Sequence, residues 1–322
     1  MGRLFSIGEV LIDFIPKEKG KALKDVQAFV RAPGGAPANV AAAVAKFGAE
    51  ASMITKLGMD AFGDFLIDEL QKAGVKTDKI KRTNQANTGL AFVSLREDGE
   101  RDFSFYRNPS ADLLLSEDEI EEHWFQKGDI LHFCSVDLVE SPMKQAHEKA
   151  IRLVKEIGGL ISFDPNVRLP LWNQAEECRQ TILEFIPKAH LLKISDEELA
   201  FITGMKDEKE AIESLFTGEV KAVIYTKGAN GADLYTKNSA YLSNGYKVDV
   251  QDTTGAGDAF IGGFLYKLLE KEVNPDNLVD VLNEHHQELL RFANASGALT
   301  TTGKGAISSI PTKEAIEQFI QQ

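Results

Sequence analysis

Short apolar runs alternate with amphipathic stretches along most of the chain. The runs Leu4 to Ile7, Ser52 to Leu57, Ile130 to Cys134, Leu160 to Asp164, Leu191 to Ile194 and Ala222 to Thr226 are almost continuously apolar, the pattern of strands covered on both faces. Between them, Pro37 to Phe47, Asp64 to Ala73, Met143 to Ile157, Asp196 to Thr203, Ala256 to Lys271 and Glu288 to Thr301 read as helices. In Ala256 to Lys271 a buried stripe is marked by Phe260, Phe264 and Leu268 at four-residue spacing. This alternation predicts an α/β fold with a mainly parallel sheet and helices on both sides. Two stretches break the rhythm, Val10 to Pro33 and Thr88 to Arg107. The second reads as a hairpin, TGLAFVSL and RDFSFYR flanking the turn-like Glu97-Asp98-Gly99-Glu100. Strands without intervening helices do not easily join a parallel sheet, so the segments at about 10–33 and 88–108 are expected to form a small separate sheet, a lid inserted in a single domain spanning 1–322.

Composition narrows the function. The chain has 322 residues, 43% of them hydrophobic, enough for one large core, and its apolar runs are far shorter than the roughly 20 residues of a membrane span. The opening MGRLFSIGEV runs straight into a strand pattern with no cleavable leader, so a cytoplasmic protein is expected. Cys134 and Cys178 offer neither a disulfide framework nor metal spacing and read as packing residues; the six histidines show no HExxH spacing. A formal net charge of -13 opposes attraction to nucleic acid or an anionic bilayer. Any anionic ligand must then be held by local dipoles and a few placed cations.

The segment Asp252-Thr253-Thr254-Gly255-Ala256-Gly257-Asp258-Ala259-Phe260 has that character: a β-like run (Lys247 to Gln251), a small-residue turn, then a helix. Gly255, Ala256 and Gly257 let backbone approach a ligand, and free amides at a helix start suit a phosphate. Asp258 beside such a site is either a proton acceptor for an attacking hydroxyl or merely an acid favouring a helix start, and spacing alone leaves both open. Pro33-Gly34-Gly35-Ala36-Pro37-Ala38-Asn39 is likewise a turn into a helix. Asp13 ends an apolar strand where a carboxylate needs hydroxyl or amide partners.

DTTGAGDAF resembles, without departure, the C-terminal signature of the ribokinase-like (PfkB) carbohydrate kinases, and further matches run from Asp13 to Ser309. The resemblance implies a three-layer sandwich with a small β-sheet lid and an ATP-dependent sugar kinase requiring Mg²⁺. It implies that Asp258 is the catalytic base and that the amides from Gly255 to Asp258, Ala256 and Gly257 included, form an anion hole. Gly34, Gly35, Asn39 and Asp13 would bind the sugar. Asp164-Pro165-Asn166-Val167-Arg168 matches a central motif that puts Arg168 near the sugar's reacting end or the γ-phosphate. In Lys193-Ile194-Ser195-Asp196-Glu197-Glu198, Glu198 would help hold Mg²⁺ through water and Lys193 a phosphate, although Ser195 replaces the family's asparagine. Thr226, Lys227, Gly228 and Gly231 resemble the loop against the nucleotide, and Asn294 falls where the family lines its adenine pocket. The loop Thr302 to Ser309 would build, with Asp252, Thr254, Gly305 and Ser309, a site for a monovalent cation such as K⁺.

The stretches Gly99 to Asp112 and Phe29 to Asn39 resemble the fructokinases within the family, which makes D-fructose the expected acceptor and fructose 6-phosphate the product. Aminoimidazole riboside and 2-keto-3-deoxygluconate are the alternatives in the class; a non-catalytic sugar or nucleotide sensor is the alternative outside it. Strand alternation puts Phe103, Phe105 and Arg107 on one face. Phe105 and Arg107 are expected to touch the sugar, and Phe103 to pack against the core or a second subunit. A homodimer through the lid edges is compatible with the pattern, and equally so is a monomer whose lid edges are charged. Gly297 to Gly305 imitates a phosphate-binding P-loop but has five spacer residues and Gly305 where Ser or Thr is required; Gly255-Ala256-Gly257 lacks the third glycine of a dinucleotide fingerprint.

Overall fold

In the computed structural model, which describes residues 2–18, 20–95 and 101–322, each continuous apolar run is a strand with helices above and below it. In chain order the strands are β1 (Leu4–Ile7), β2 (Leu11–Pro16), β3 (Phe29–Gly34), β4 (Ala51–Gly58), β5 (Ile80–Thr83), β6 (Leu90–Leu95), β7 (Arg101–Tyr106), β8 (Ile130–Cys134), β9 (Leu160–Asp164), β10 (Leu191–Ser195), β11 (Ala222–Thr226), β12 (Ala232–Thr236) and β13 (Ala240–Ser243). The helices are α1 (Ala36–Lys46), α2 (Ala61–Lys72), α3 (Pro142–Glu156), α4 (Ala175–Phe185), α5 (Asp196–Thr203), α6 (Glu208–Ser214), α7 (Ala256–Glu270), α8 (Leu278–Thr300), α9 (Ala306–Ser309) and α10 (Lys313–Ile320).

Among the described residues these strands make a nine-stranded sheet of order β13-β12-β11-β10-β9-β8-β1-β4-β5 and a four-stranded sheet of order β3-β2-β6-β7. In the large sheet the β11–β12 and β12–β13 pairings are antiparallel and the other pairings of the described strands are parallel, so β12 alone among the described strands runs against the rest. Successive strand residues serve opposite cores: Leu4 and Ile130 pack with α1, α7 and α8, whereas Phe5 and Leu131 pack with α3 and α4. That division explains the unbroken apolar runs.

The four-stranded sheet contains the two stretches that interrupt the β-α rhythm. β2 pairs antiparallel with β3 and parallel with β6, and β6 pairs antiparallel with β7, Leu90 opposite Tyr106. The turn expected at Glu97 to Glu100 lies outside the described residues, as does the side chain of Phe103.

Two expectations need correction. Lys247 to Gln251 is not a strand: among the described residues it pairs with no strand, and the amides of Gln251 and Asp252 instead both donate to Thr301 O (2.8 and 3.1 Å). The last long helix begins at Leu278 rather than Glu288, its first turns contributing Leu278 and Leu282 to the core. Cys134 and Cys178 are free and buried. Among the described residues no helix is long and apolar enough to cross a membrane.

Candidate active site

Strand order reverses between β1 and β8: from β1 the sheet grows one way through β4 and β5, and from β8 the other way through β9, β10 and β11. Loops leaving neighbouring strands there diverge, which opens a crevice at their carboxyl ends. A cleft of about 1410 Å³ occupies this position. Its floor is set by Glu9 after β1, Val136 after β8, Asn166 to Arg168 after β9, and Lys193, Ser195 and Glu198 around the end of β10. One face of the four-stranded sheet lines the other side, through Asp13, Ile15, Val30, Val93 and Phe105.

Asp258 enters from the first turn of α7. The turn before it is possible because Gly255 takes φ 76°, and a Cβ there would stand 2.6 Å from the Ala306 Cβ. The Ala256 amide already donates to Thr253 O (3.3 Å), and Ala256 is not among the cleft-lining residues. Among the described residues the amides of Gly257 and Asp258 make no such bond, so they, with the positive end of α7, face the cleft. Asn39, in the second turn of α1, donates its Nδ2 to Asp258 Oδ2 at 2.8 Å. Burial raises the Asp258 carboxyl above the usual aspartate value, against the opposing pull of Asn39, Lys193 and Arg168.

Lys193 is buried in β10 with its Nζ 2.8 Å from Asp164 Oδ2, and a Cβ on Gly257 would lie 3.5 Å from that ammonium. Burial works against the lysine charge, but Asp164, Glu198 and Asp258 together raise its proton affinity above the ordinary value. Burial also pushes the Asp164 carboxyl up to about 6. Glu198 has both oxygens engaged: Oε1 accepts from the Val167 amide (2.7 Å), and Oε2 from the Ser195 amide (3.0 Å) and hydroxyl (2.8 Å). Ser195 thus caps α5 in a reciprocal capping box. Its hydroxyl orients Glu198, giving a physical role to the residue that departs from the motif. Despite burial, Lys193 and these hydrogen bonds hold Glu198 below the usual glutamate value. Arg168 is exposed at the cleft wall, its Nη1 donating to Val167 O at 2.9 Å.

On the sheet side, Asp13 and Gly34 meet so closely that a Cβ at Gly34 would lie 2.2 Å from Asp13 Oδ2. Gly35 and Phe105 also line the cleft. Arg107 does not. β7 ends at Tyr106, and the Arg107 side chain turns inward, 4% exposed, to pair with Asp112 and Asp137 and to donate to Ser110 Oγ (3.3 Å). The alternation that put Arg107 beside Phe105 stops with the strand.

Of the remaining candidate residues, Asp252 and Thr254 line the cleft and the others do not. Gly231 and Asn294 converge on one segment: Gly231 packs against Ser243 to Gly245, and Asn294 Nδ2 donates to Ser243 Oγ (3.0 Å) and Asn244 O (3.4 Å). Thr226 ends β11, Gly228 opens the short turn that follows, and Lys227 is held by Asp233 at 2.7 Å. Asp252 joins two loops, accepting at Oδ1 from the Thr254 amide (3.0 Å) and hydroxyl (2.6 Å) and at Oδ2 from the Gly305 amide (3.0 Å). Ser309 packs against Gly303 of the second loop. Among the described residues no three His, Cys, Asp or Glu side chains cluster to hold a metal.

The sequence pattern of the pfkB family carbohydrate kinases matches residues 1–313. The chain belongs to that family. It is 44% identical to probable fructokinase-4 of Arabidopsis thaliana over 319 residues, 99% of this chain and 96% of that relative. The structure superposes on a fructokinase from Xylella fastidiosa with bound ATP at a TM-score of 0.91, with 36% identity, covering 99% of this chain and 98% of that one. It superposes on a fructokinase from Vibrio cholerae O395 in a fructose-, ADP- and calcium-bound form at 0.88, again with 36% identity, covering 99% of each chain.

In this pfkB-family kinase the two signature segments, 219 residues apart, meet through the Asn39 to Asp258 hydrogen bond. Asn39→Ala is expected to lower kcat/KM for the sugar by roughly 10-fold or more, the worth of a hydrogen bond to a charged group, measured by steady-state kinetics; an unchanged kcat/KM would show that the bond does not position the carboxylate. Sequence reasoning passes over Glu9, a buried carboxylate lining the cleft. Its neighbour Gly8 and the start of an otherwise apolar strand were the only signals available.

Proposed function

We propose that the chain is a fructokinase that transfers the γ-phosphoryl group of ATP to a primary hydroxyl of D-fructose, giving fructose 6-phosphate. The observation that carries the mechanism is the placement of Asp258 in the cleft. Its carboxylate lies beside the open amides of the α7 start and the Lys193 ammonium, and opposite the Asp13 side of the sheet. The acceptor follows from 44% identity to a relative named as a fructokinase and from likeness to a fructose-bound one.

In this reading Asp13, Gly34, Gly35, Asn39 and Phe105 hold the sugar, and Asp258 accepts the proton of its attacking hydroxyl. The amides of Gly255, Gly257 and Asp258 meet the charge developing on the transferred group, with Lys193 and Arg168 beside it. Thr226, Gly228, Gly231 and Asn294 surround the nucleotide base. Mg²⁺ would be carried chiefly by the nucleotide phosphates, whose charge it would neutralise. Glu198, whose oxygens already accept protein hydrogen bonds, would help hold the ion through water. The oxygen-rich junction of Asp252, Thr254, Gly305 and Ser309 fits K⁺.

The four-stranded sheet is then a lid over the sugar. Its far face carries Phe14 stacked on Phe92 (ring centroids 4.7 Å apart), with Phe29 and Tyr106 against Phe92, and Tyr106 is 62% exposed. This aromatic face and the edges β3 and β7 support a homodimer through the lid, for which light scattering of Tyr106→Glu against the parent is the check.

An ADP-release assay with Mg-ATP, in K⁺ and in Na⁺, on fructose, aminoimidazole riboside, 2-keto-3-deoxygluconate and no sugar tests the function. Turnover is expected to require fructose and to be higher in K⁺. Activity on another sugar alone would overturn the acceptor, and rapid sugar-independent hydrolysis would overturn the lid mechanism.

A further inference from the structure

The turn that presents Asp258 is braced from behind by α9, and one lysine of α1 holds that brace. Asn39, Ala43 and Lys46 recur along α1 at the spacing that puts side chains on one helix face. Asn39 donates to Asp258. One turn further on, Ala43 packs so closely on α7 that a Cβ at Gly262 would stand 2.6 Å from the Ala43 Cβ. Lys46, at the end of α1, reaches α9 instead, its Nζ donating to Ile307 O (2.6 Å) and Ile310 O (3.3 Å).

α9 is a single turn, Ala306–Ser309. So short a helix leaves carbonyl groups at its end without intrahelical donors, and a lysine side chain can supply them. The Lys46 ammonium is half-buried. Burial lowers its pKa, and among the described residues no carboxylate acts against that shift. The two carbonyl oxygens are what the ammonium has in place of water. An apolar side chain of similar length would fill the same space and leave both carbonyls without that donor.

The start of α9 bears on the turn before Asp258 at two points. The Gly305 amide donates to Asp252 Oδ2 at 3.0 Å, and Ala306 stands against Gly255, where a Cβ would lie 2.6 Å from the Ala306 Cβ. Gly255 there holds the left-handed conformation from which α7 starts with the Gly257 and Asp258 residues at the cleft. α1 therefore grips this turn twice, through Asn39 on the cleft side and through Lys46 and α9 behind it. A small displacement of α9 would move amides whose aim at the transferred group decides what they contribute. We propose that Lys46 is a positioning residue for phosphoryl transfer: its ammonium locks α9 to α1, so that Gly305 and Ala306 keep the Asp252 to Gly255 turn, and with it the start of α7, in place. The effect on turnover rests on the fructokinase reading; the brace itself does not.

Lys46→Met tests it on the full chain. Its kcat is expected to fall about 10-fold, the worth of a hydrogen bond from a charged group. The KM values for fructose and Mg-ATP should stay within about threefold, because an anion hole acts most strongly in the transition state. Lys46→Arg, whose guanidinium can also donate to two carbonyls, should recover kcat to within about threefold of the parent. Hydrogen exchange on the protein without substrates reads the brace directly: amides in 252–258 and 305–310 should exchange about 10-fold faster in Lys46→Met. Those of α3, which packs in the other core, should not change. Unaltered exchange at 252–258, a loss of kcat that Lys46→Arg does not recover, or an equal rise of exchange in α3 would each overturn the proposal. Should Lys46→Met not fold, Lys46→Gln, one bond shorter than lysine and unable to span to both carbonyls, carries the same measurements. If the parent phosphorylates no sugar, the proposed function fails, and the exchange experiment alone decides whether Lys46 holds the turn.

Discussion

Asp258→Asn is expected to lower kcat about 10³-fold, within the range general-base catalysis supplies, while the KM for fructose changes only a few-fold. The substitution is nearly isosteric, and its amide oxygen can still accept the bond from Asn39 Nδ2, so the junction between α1 and α7 survives. What disappears is the capacity to take the proton of the attacking hydroxyl. The parent enzyme should lose activity toward low pH. Burial raises the Asp258 value, so the carboxyl protonates at a higher pH than a free aspartate and its base form is lost as pH falls through that raised value. The residual activity of Asp258→Asn should lack this acid limb. A variant that keeps a tenth or more of parental kcat, or that retains the same limb, would remove Asp258 from the role of base.

Lys193→Met is expected to damage folding and turnover together. The ammonium sits 2.8 Å from Asp164 and close to the first turn of α7, with Glu198 and Asp258 also in its field. Without it the buried Asp164 carboxylate has no cation, a loss of about 3–5 kcal/mol by analogy with broken buried pairs. Turnover should fall about 100-fold or more as a positive charge beside the transferred group is removed. The two effects can be separated. Adding Asp164→Asn removes the uncompensated charge, so the double variant should recover most of the stability in urea unfolding while kcat stays low. If the single variant were as stable as the parent, the ion pair would not be holding β9 to β10; if the double variant regained kcat, Lys193 would be acting only through Asp164.

Part of this site is legible in the sequence alone. The segment from Asp252 to Phe260 announced a turn into a helix start, and that is how α7 begins, with Gly255 in the left-handed region and Asp258 in the cleft. The strand runs were read almost to the residue because burial on both faces leaves continuous apolar stretches, and the two stretches without helices became a sheet of their own. β12 and β13 were not anticipated. Their alternation is partial, Leu242 being 76% exposed, and they are stabilised by pairing antiparallel at the edge of a sheet whose position the local sequence does not specify.

Arg107 shows where local reading stops. Strand periodicity assigns a face only while the strand lasts, and the choice between a sugar and two aspartates depended on Asp137, 30 residues away in another loop. Ser195 is the converse case. As a motif it was a departure, but in three dimensions its hydroxyl and amide both hold Glu198.

The sequence by itself determined the alternation of elements, the helix start that presents Asp258, and the family, because apolar periodicity and backbone conformation at glycines are local properties. The tertiary structure alone decided which charges meet: Asn39 with Asp258, Lys193 with Asp164, and Arg107 with Asp112 and Asp137. Burial makes those choices consequential. An ion excluded from water must find its partner among whatever side chains the fold brings within a few ångströms, and that set is fixed only when strands distant in the chain become neighbours.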